Sequence, residues 1–171
     1  RYGAEITMEN IERKLLAHYI DASFDKTGNT PKYVRLGKDL EEYNLELNPD
    51  VEVSKNIWGD STIKHNGYEP QSDVDTYYAV EGDPLYEKLE AIANGRLTGD
   101  DCMTTTVDVL VDKKGKVSWA YREKVMVVPT SVGGDTSGVQ IPFTIYNAGG
   151  RVKGNWDTTE KSFTELPSSE E

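Results

Sequence analysis

The chain is poor in the residues that mark chemistry. It has one cysteine, Cys102, and two histidines, His18 and His65, in 171 residues. One thiol cannot close an internal disulfide, and the histidines and cysteine lie too far apart in sequence to offer zinc-ligand spacing. No stretch approaches the roughly 20 consecutive apolar residues of a membrane helix, and Arg1 to Asn10 lacks the apolar core of a signal peptide. There is also no Asn-x-Ser/Thr acceptor. Synthesis in the cytosol is the expectation these absences support. The size suits one domain of roughly 100–200 residues.

Positive charge is scarce as well. Nineteen Lys and Arg face 30 Asp and Glu, giving a formal net charge of −11. A sequence-independent grip on nucleic acid needs clustered cations to neutralise phosphates, so this balance excludes one. The excess is local: residues 51–100 carry 10 acids against 4 bases, whereas residues 101–150 carry 5 of each. Within it, Glu69, Asp73, Asp75, Glu81, Asp83, Glu87 and Glu90 have only Lys88 as a basic neighbour. A solvated face is the plain reading of such a run, and a wall facing something anionic is the sharper one.

Period-two alternation predicts a mainly β protein. Leu16, His18, Ile20, Ala22 and Phe24 share one face of a strand, which a turn over Asp25 to Pro31 returns to Tyr33–Leu36. Val107, Val109 and Val111 lead through Asp112-Lys113-Lys114-Gly115 to Val117, Trp119 and Tyr121, a hairpin. A second hairpin is expected from Val139, Ile141, Phe143 and Ile145 through Asn147-Ala148-Gly149-Gly150 to Val152 and Trp156. Pro142 confines its strand to an edge or a bulge. Val51 and Val53 extend a further alternating run, after which residues 54–75 show no period. This stretch, with Trp58 and Tyr68, is expected to be a long partner-binding loop. One helix is punctuated by Asp83 as cap, Pro84 at its first position and Asn94-Gly95 as a left-handed stop, with Leu85, Leu89, Ile92 and Ala93 as its apolar stripe. Glu9 to Ala17 fits either a short helix or the lead-in to the first strand. Pro129 to Gly138 reads as a turn-rich loop.

No catalytic constellation survives inspection, so the chain is not expected to be an enzyme or to carry a cofactor or metal. Asp25-Lys26-Thr27-Gly28-Asn29 resembles the start of a calcium loop, but Leu36 stands where a closing Glu is required. Gly37-Lys38 lacks the glycine spacing of a phosphate loop. Gly134-Asp135-Thr136-Ser137-Gly138 has the flavour of a serine nucleophile without a histidine and carboxylate to activate it. The pairs Asp73/Asp75 and Asp100/Asp101 are unremarkable in an acidic chain. Nothing basic surrounds Cys102.

The ordered strings carry more. Lys14-Leu-Leu-Ala-His-Tyr-Ile-Asp-Ala-Ser23, Tyr33-Val-Arg-Leu-Gly-Lys-Asp-Leu-Glu-Glu42, Leu47-Asn-Pro-Asp-Val-Glu-Val-Ser-Lys-Asn-Ile57, Gly67-Tyr-Glu-Pro70 and Asp83-Pro-Leu-Tyr-Glu-Lys-Leu89 resemble the tail tube (major tail) proteins of long-tailed bacteriophages. The resemblance runs from about Arg13 to Phe163. It implies a β-sandwich of tail-tube type over residues 13–164, with one flanking helix around 84–94 and a long loop around 54–75. Residues 1–12 would be an N-terminal arm or cloning remnant, and 165–171 a disordered acidic tail.

By the same resemblance the protein would be a structural virion component, made in the bacterial host cytoplasm, whose hexameric rings stack into a conduit for DNA ejection. Its partners would be further copies of itself and the tail terminator, baseplate or tail-tip and tape-measure proteins, with DNA passing through unbound and no membrane involved. Trp58 and Tyr68 are the candidates for ring stacking, and Glu69, Asp73, Asp75 and Glu81 for acidic groups facing the bore. Two alternatives stand beside this: the tube subunit of a contractile tail-like particle, such as a bacteriocin or secretion system, and a carbohydrate-binding module using Trp58, Tyr68, Tyr77 and Tyr78.

Overall fold

The computed structural model describes residues 8–25, 27 and 29–167. The expectations for residues 1–7 and for 168–171 of the expected tail 165–171 lie outside that range, whereas Glu165 ends the last strand and the Leu166 amide is bonded to Lys153 O, so the tail does not begin at 165. Strands β1 (Leu16–Asp21) and β2 (Tyr33–Leu36) are followed by β3 (Pro49–Lys55), β4 (Ser61–Tyr68) and β5 (Gln71–Val74). After helix α1 (Pro84–Gly95) come β6 (Met103–Val111), β7 (Val117–Pro129), β8 (Gly133–Asp135), β9 (Gly138–Gln140), β10 (Phe143–Asp157) and β11 (Ser162–Glu165). Seven strands form one antiparallel sheet in the order β11-β10-β7-β6-β1-β2, with β5 joined to the first part of β10. The mainly β class with one flanking helix is as expected.

The sheet is curled, and it buries apolar residues on both faces. On one face Ile20, Leu36, Val74, Val125, Val127, Phe143 and Ile145 pack with Leu85 and Leu89 of α1. On the other, Ala17, Tyr19, Tyr33, Val107, Val109 and Ala120 pack with Trp156. Trp156 on β10 stacks on Tyr19 of β1 at 4.5 Å and meets Tyr33 of β2 edge-on at 5.4 Å. Those contacts span three and four strand steps of about 4.8 Å each, so the sheet must curl to make them. β10 can serve both cores because its pairing with β7 shifts register between Asn147 and Gly149 and again between Gly149 and Val152. The expected turn at Asn147–Gly150 is therefore a double bulge inside one long strand, and no hairpin forms there. The glycines adopt positive φ angles of 100° and 71° without breaking the ladder. The break comes earlier, at Ile141-Pro142, where proline cannot donate to a ladder.

Local chemistry explains the other ends. Asp21 Oδ1 accepts from the Ser23 and Lys32 amides at 2.9 Å, pinning the turn between β1 and β2. Asp25 tightens the same turn by accepting from Thr27 and Thr30, which holds its carboxyl well below the usual carboxylate range. The turn joins the antiparallel pair β1 and β2, the hairpin that the sequence leads one to expect. Asp83 caps α1 by accepting from the Leu85 amide at 3.1 Å, as its position ahead of Pro84 predicted. The left-handed stop falls at Arg96, φ 50°, rather than at Asn94-Gly95. Residues Arg13–Leu15 make a single 3-10 turn, so Glu9 to Ala17 is the lead-in to β1. Part of the Pro129–Gly138 loop becomes the small β8–β9 hairpin.

Candidate assembly surfaces

Residues 54–75 are not a loop. They complete a two-stranded arm, β3 with β4, and continue into β5. The missing periodicity has a physical cause. Every residue of β3, and all of β4 but Gly67, is exposed, so nothing selects for an alternating buried face. A shift between Asp50 and Val51 breaks the register as well. The arm nonetheless has an apolar side. Val53 sits opposite Ile63 and Val51 opposite His65, while the reverse side carries Glu52 opposite Lys64 and Ser54 opposite Thr62.

Ile57 and Trp58 occupy the turn at the arm's tip, where the Asn56 side chain accepts from the Trp58 and Asp60 amides. Trp58 is 82% exposed and Ile63 72%. Tyr68 lies at the arm's root, paired with Pro49 and edge-on to His65 at 4.6 Å. Seven residues of strand separate root from tip, roughly 23 Å, so Trp58 and Tyr68 do not form one patch. Nor do the four aromatics of the carbohydrate reading converge. Tyr77 packs against Phe143 in the α1 core and donates its hydroxyl to Asp83 at 2.5 Å; burial, reinforced by that carboxylate, pushes its pKa up. Tyr78 is bridged to Gln140.

Two sheet edges stand open, and the hydrogen-bond phase shows which groups they offer. The Ala22 amide donates to Lys32 O at 2.8 Å. Alternation then makes Ile20/Val34 and His18/Leu36 the bonded pairs, leaving the backbone of Tyr33 and Arg35 pointing away from β1. At the far end the Leu166 amide donates to Lys153 O at 3.2 Å, which turns the backbone of Phe163 and Glu165 outward from β11. No strand among the described residues pairs with either edge. β11 is seated by Phe163 against Trp156 and by Arg122, which lies over the Phe163 ring at 5.0 Å and reaches Glu165 at 3.4 Å.

The acidic candidates are all exposed: Glu69 follows the arm, Asp73 lies on β5, and Asp75 and Glu81 lie between β5 and α1. Asp73 accepts from the Thr144 hydroxyl at 3.0 Å, on the sheet face opposite the α1 core.

A partly buried ionic network is not visible in the sequence. His18 Nδ1 lies 2.6 Å from Asp108 Oδ1, and Arg151 Nη1 bridges Asp108 Oδ2 at 3.3 Å and Glu123 Oε1 at 3.1 Å. Arg13 Nη2 approaches His18 Nε2 at 3.0 Å from outside. Its members come from β1, β6, β7 and β10, up to 133 positions apart, so no spacing rule finds them. One signal was available: Glu123 shares the period-two face of Val125 and Val127, which places a carboxylate inside. It is 6% exposed.

Among the described residues no group of His, Cys, Asp and Glu converges to hold a metal. The Ser137 amide is bonded to Asp135 within the β8–β9 turn. Burial, with Asp101 adding, pushes the Cys102 thiol up and away from reactivity.

No protein-family model matches the chain, and no curated protein matches it significantly. Solved structures do. The tube-terminating cap of the anti-feeding prophage matches at TM-score 0.55 and 11% identity, covering 88% of this chain and 95% of the cap. A sheath/tube terminator of an extracellular contractile injection system matches at TM-score 0.54 and 9% identity over 88% and 100% of the two chains. A chain of the sheath–tube complex of such a system matches at 0.52 and 10% over 85% and 92%. At these identities what is shared is the fold, and it is the fold of tail tube and tube-terminator proteins.

Proposed function

We propose that this chain is a structural, non-enzymatic subunit of a phage-like tail particle, joining copies of itself edge to edge into a ring that stacks onto the tail tube. The observation that carries this is the pair of unlike open edges. An interface between β2 of one copy and β11 of the next is heterologous, and a heterologous contact closes into a ring when its rotation divides the circle. Open edges otherwise invite uncontrolled pairing, and neither edge is blocked by proline. The arm supplies a second contact along the axis. A two-stranded hairpin with no packed face is marginal alone, and its apolar side and Trp58 tip suit a surface on another copy.

The hexameric ring number follows the family resemblance. So do the terminator, baseplate or tail-tip and tape-measure partners, and the localisation to the tail of a particle assembled in the host cytoplasm. The sequence strings favour the long-tailed virion that ejects DNA, whereas the structural neighbours include chains of contractile injection systems. A sheath that co-purifies with the tube decides for the latter.

Negative-stain electron microscopy of the concentrated chain tests the reading. Hollow tubes support a repeating tube subunit, and single rings that do not grow support a terminating cap. A sample that stays monomeric at all concentrations and salt conditions refutes both.

A further inference from the structure

His18 is 8% exposed, and its two ring nitrogens have partners of opposite demand. A guanidinium only donates, so Nε2, 3.0 Å from Arg13 Nη2, must be the acceptor and the ring proton must sit on Nδ1, donated to Asp108. Arg13 Nη2 also donates to Tyr43 O at 3.1 Å and Nη1 to Leu16 O at 2.7 Å. Through these bonds one side chain ties the segment before β1 to the segment after β2, across a cavity of about 500 Å³ beside β2. The Tyr43 ring closes the floor, 4.4 Å from the imidazole.

We propose that His18 is a proton-operated latch, holding Arg13 across this groove in its neutral form and releasing it, with the segment before β1, when it is protonated. The imidazolium has two donors and no lone pair. A proton on Nε2 therefore abolishes the bond to Arg13 and sets two cations about 3 Å apart. The other charges facing the ring do not need to move: Asp108 from β6 keeps its bond to Nδ1, and Arg151 from β10 stays between Asp108 and Glu123 of β7. β2 contributes the apolar Leu36 on this side. At the groove mouth Lys14, Arg35 and Lys38 add three positive charges against two from Glu41 and Glu42, and Arg35 of β2 keeps its own bond to Lys14 O at 3.4 Å. Arg13 is exposed, so it is the member that leaves for water. The Glu9–Lys113 ion pair further along the segment is exposed and holds weakly.

Because the groove borders the open edge of β2, release changes access to that edge. A further consequence, ring closure that weakens in acid, rests on the assembly reading and is measured separately.

The latch is tested on the unassembled full chain by hydrogen exchange at pH 7.5 and 5.5, corrected for intrinsic rates. Loss of a charge-assisted bond predicts about tenfold faster exchange over residues 8–16 and 40–46 in acid. His18→Gln, whose amide can accept from Arg13 and donate to Asp108 without titrating, should show no such change. Arg13→Gln, at the surface and safe for folding, should exchange fast at both pH values. Nitrogen NMR of His18 should show the proton on Nδ1 at pH 7.5. Equal protection at the two pH values in the unsubstituted chain, an unaltered pH response in either variant, or a proton on Nε2 overturns the latch. None of these readings depends on rings or tubes forming.

Discussion

The arm gives the sharpest test, because its residues are free in the single chain and buried only if the assembly reading is right. In Trp58→Ser/Ile63→Ser two large apolar side chains, 82% and 72% exposed, become small and polar. Substitutions at such sites change fold stability by about 0.5 kcal/mol at most, so the melting temperature should hold within about 2 °C. Complete burial of one large apolar side chain contributes about 1.5–3 kcal/mol, so docking both would gain roughly 4 kcal/mol. Ordering at the interface consumes on the order of half of that, leaving about 2 kcal/mol per contact, or about a thirtyfold change in association constant. Sedimentation velocity over a concentration series should show the onset of assembly shifted upward by that factor, with the monomer intact. A melting temperature lowered by more than about 5 °C would mean the arm packs on its own chain. An unchanged onset would mean the tip touches nothing in the assembly.

Three further outcomes follow from the cores. Arg151→Met strips the partner from a buried carboxylate and should cost about 2–3 kcal/mol at pH 7, discounted because Arg151 is one-third exposed. A deficit below about 1 kcal/mol in chemical denaturation speaks against it. Burial pushes Tyr43 up to about 12, so its contribution is intact below about pH 10 and lost between there and 12, at about 1.4 kcal/mol per pH unit. Tyr43→Phe should flatten that limb of the alkaline unfolding curve by the same amount. A Cβ at Gly154 would lie 2.3 Å from the Phe163 ring and 2.4 Å from Thr164 O, so Gly154→Ala should unseat β11, seen as fast exchange over 162–165, and weaken ring closure more than it weakens the fold.

Much of the fold was legible where one face is buried and the other is not. The β1–β2 and β6–β7 pairs declared themselves through period two, and α1 through its cap and stripe, because burial filters the residues on one side. The arm did not, because neither of its faces is filtered. The middle of β10 misled for a different reason. Asn147-Ala148-Gly149-Gly150 has turn chemistry, yet the bulges put positive-φ glycines to use inside a strand that must bend between two cores. The ionic network was hidden by distance along the chain, since antiparallel pairing and not spacing brings His18 to Asp108 and Arg151 to Glu123. Trp58 and Tyr68 both belong to the arm. Strand geometry then puts them at opposite ends of it.

The charge of −11 does not transfer directly to the bore of a proposed tube. The sheet face that packs on α1 is covered and the opposite face is filled around Trp156 by the second core, so only the stretch of that opposite face around Asp73 and Thr144 is exposed. Strand pleating decides which groups stand on it. Asp73 flanks the buried Val74 and pairs across to Thr144, whose β7 partner Val128 shares a face with Met126, Lys124 and Arg122. That face thus carries Asp73 with Lys124 and with Arg122, which is already engaged by Glu165. Asp75, Glu81, Asp100 and Asp101 belong instead to the connections at the end where β6 begins and β5 finishes. Of the four acidic bore candidates Glu69, Asp73, Asp75 and Glu81, Asp73 is the one that the pleat of a sheet strand sets on that face, beside Thr144 and away from the buried Val74.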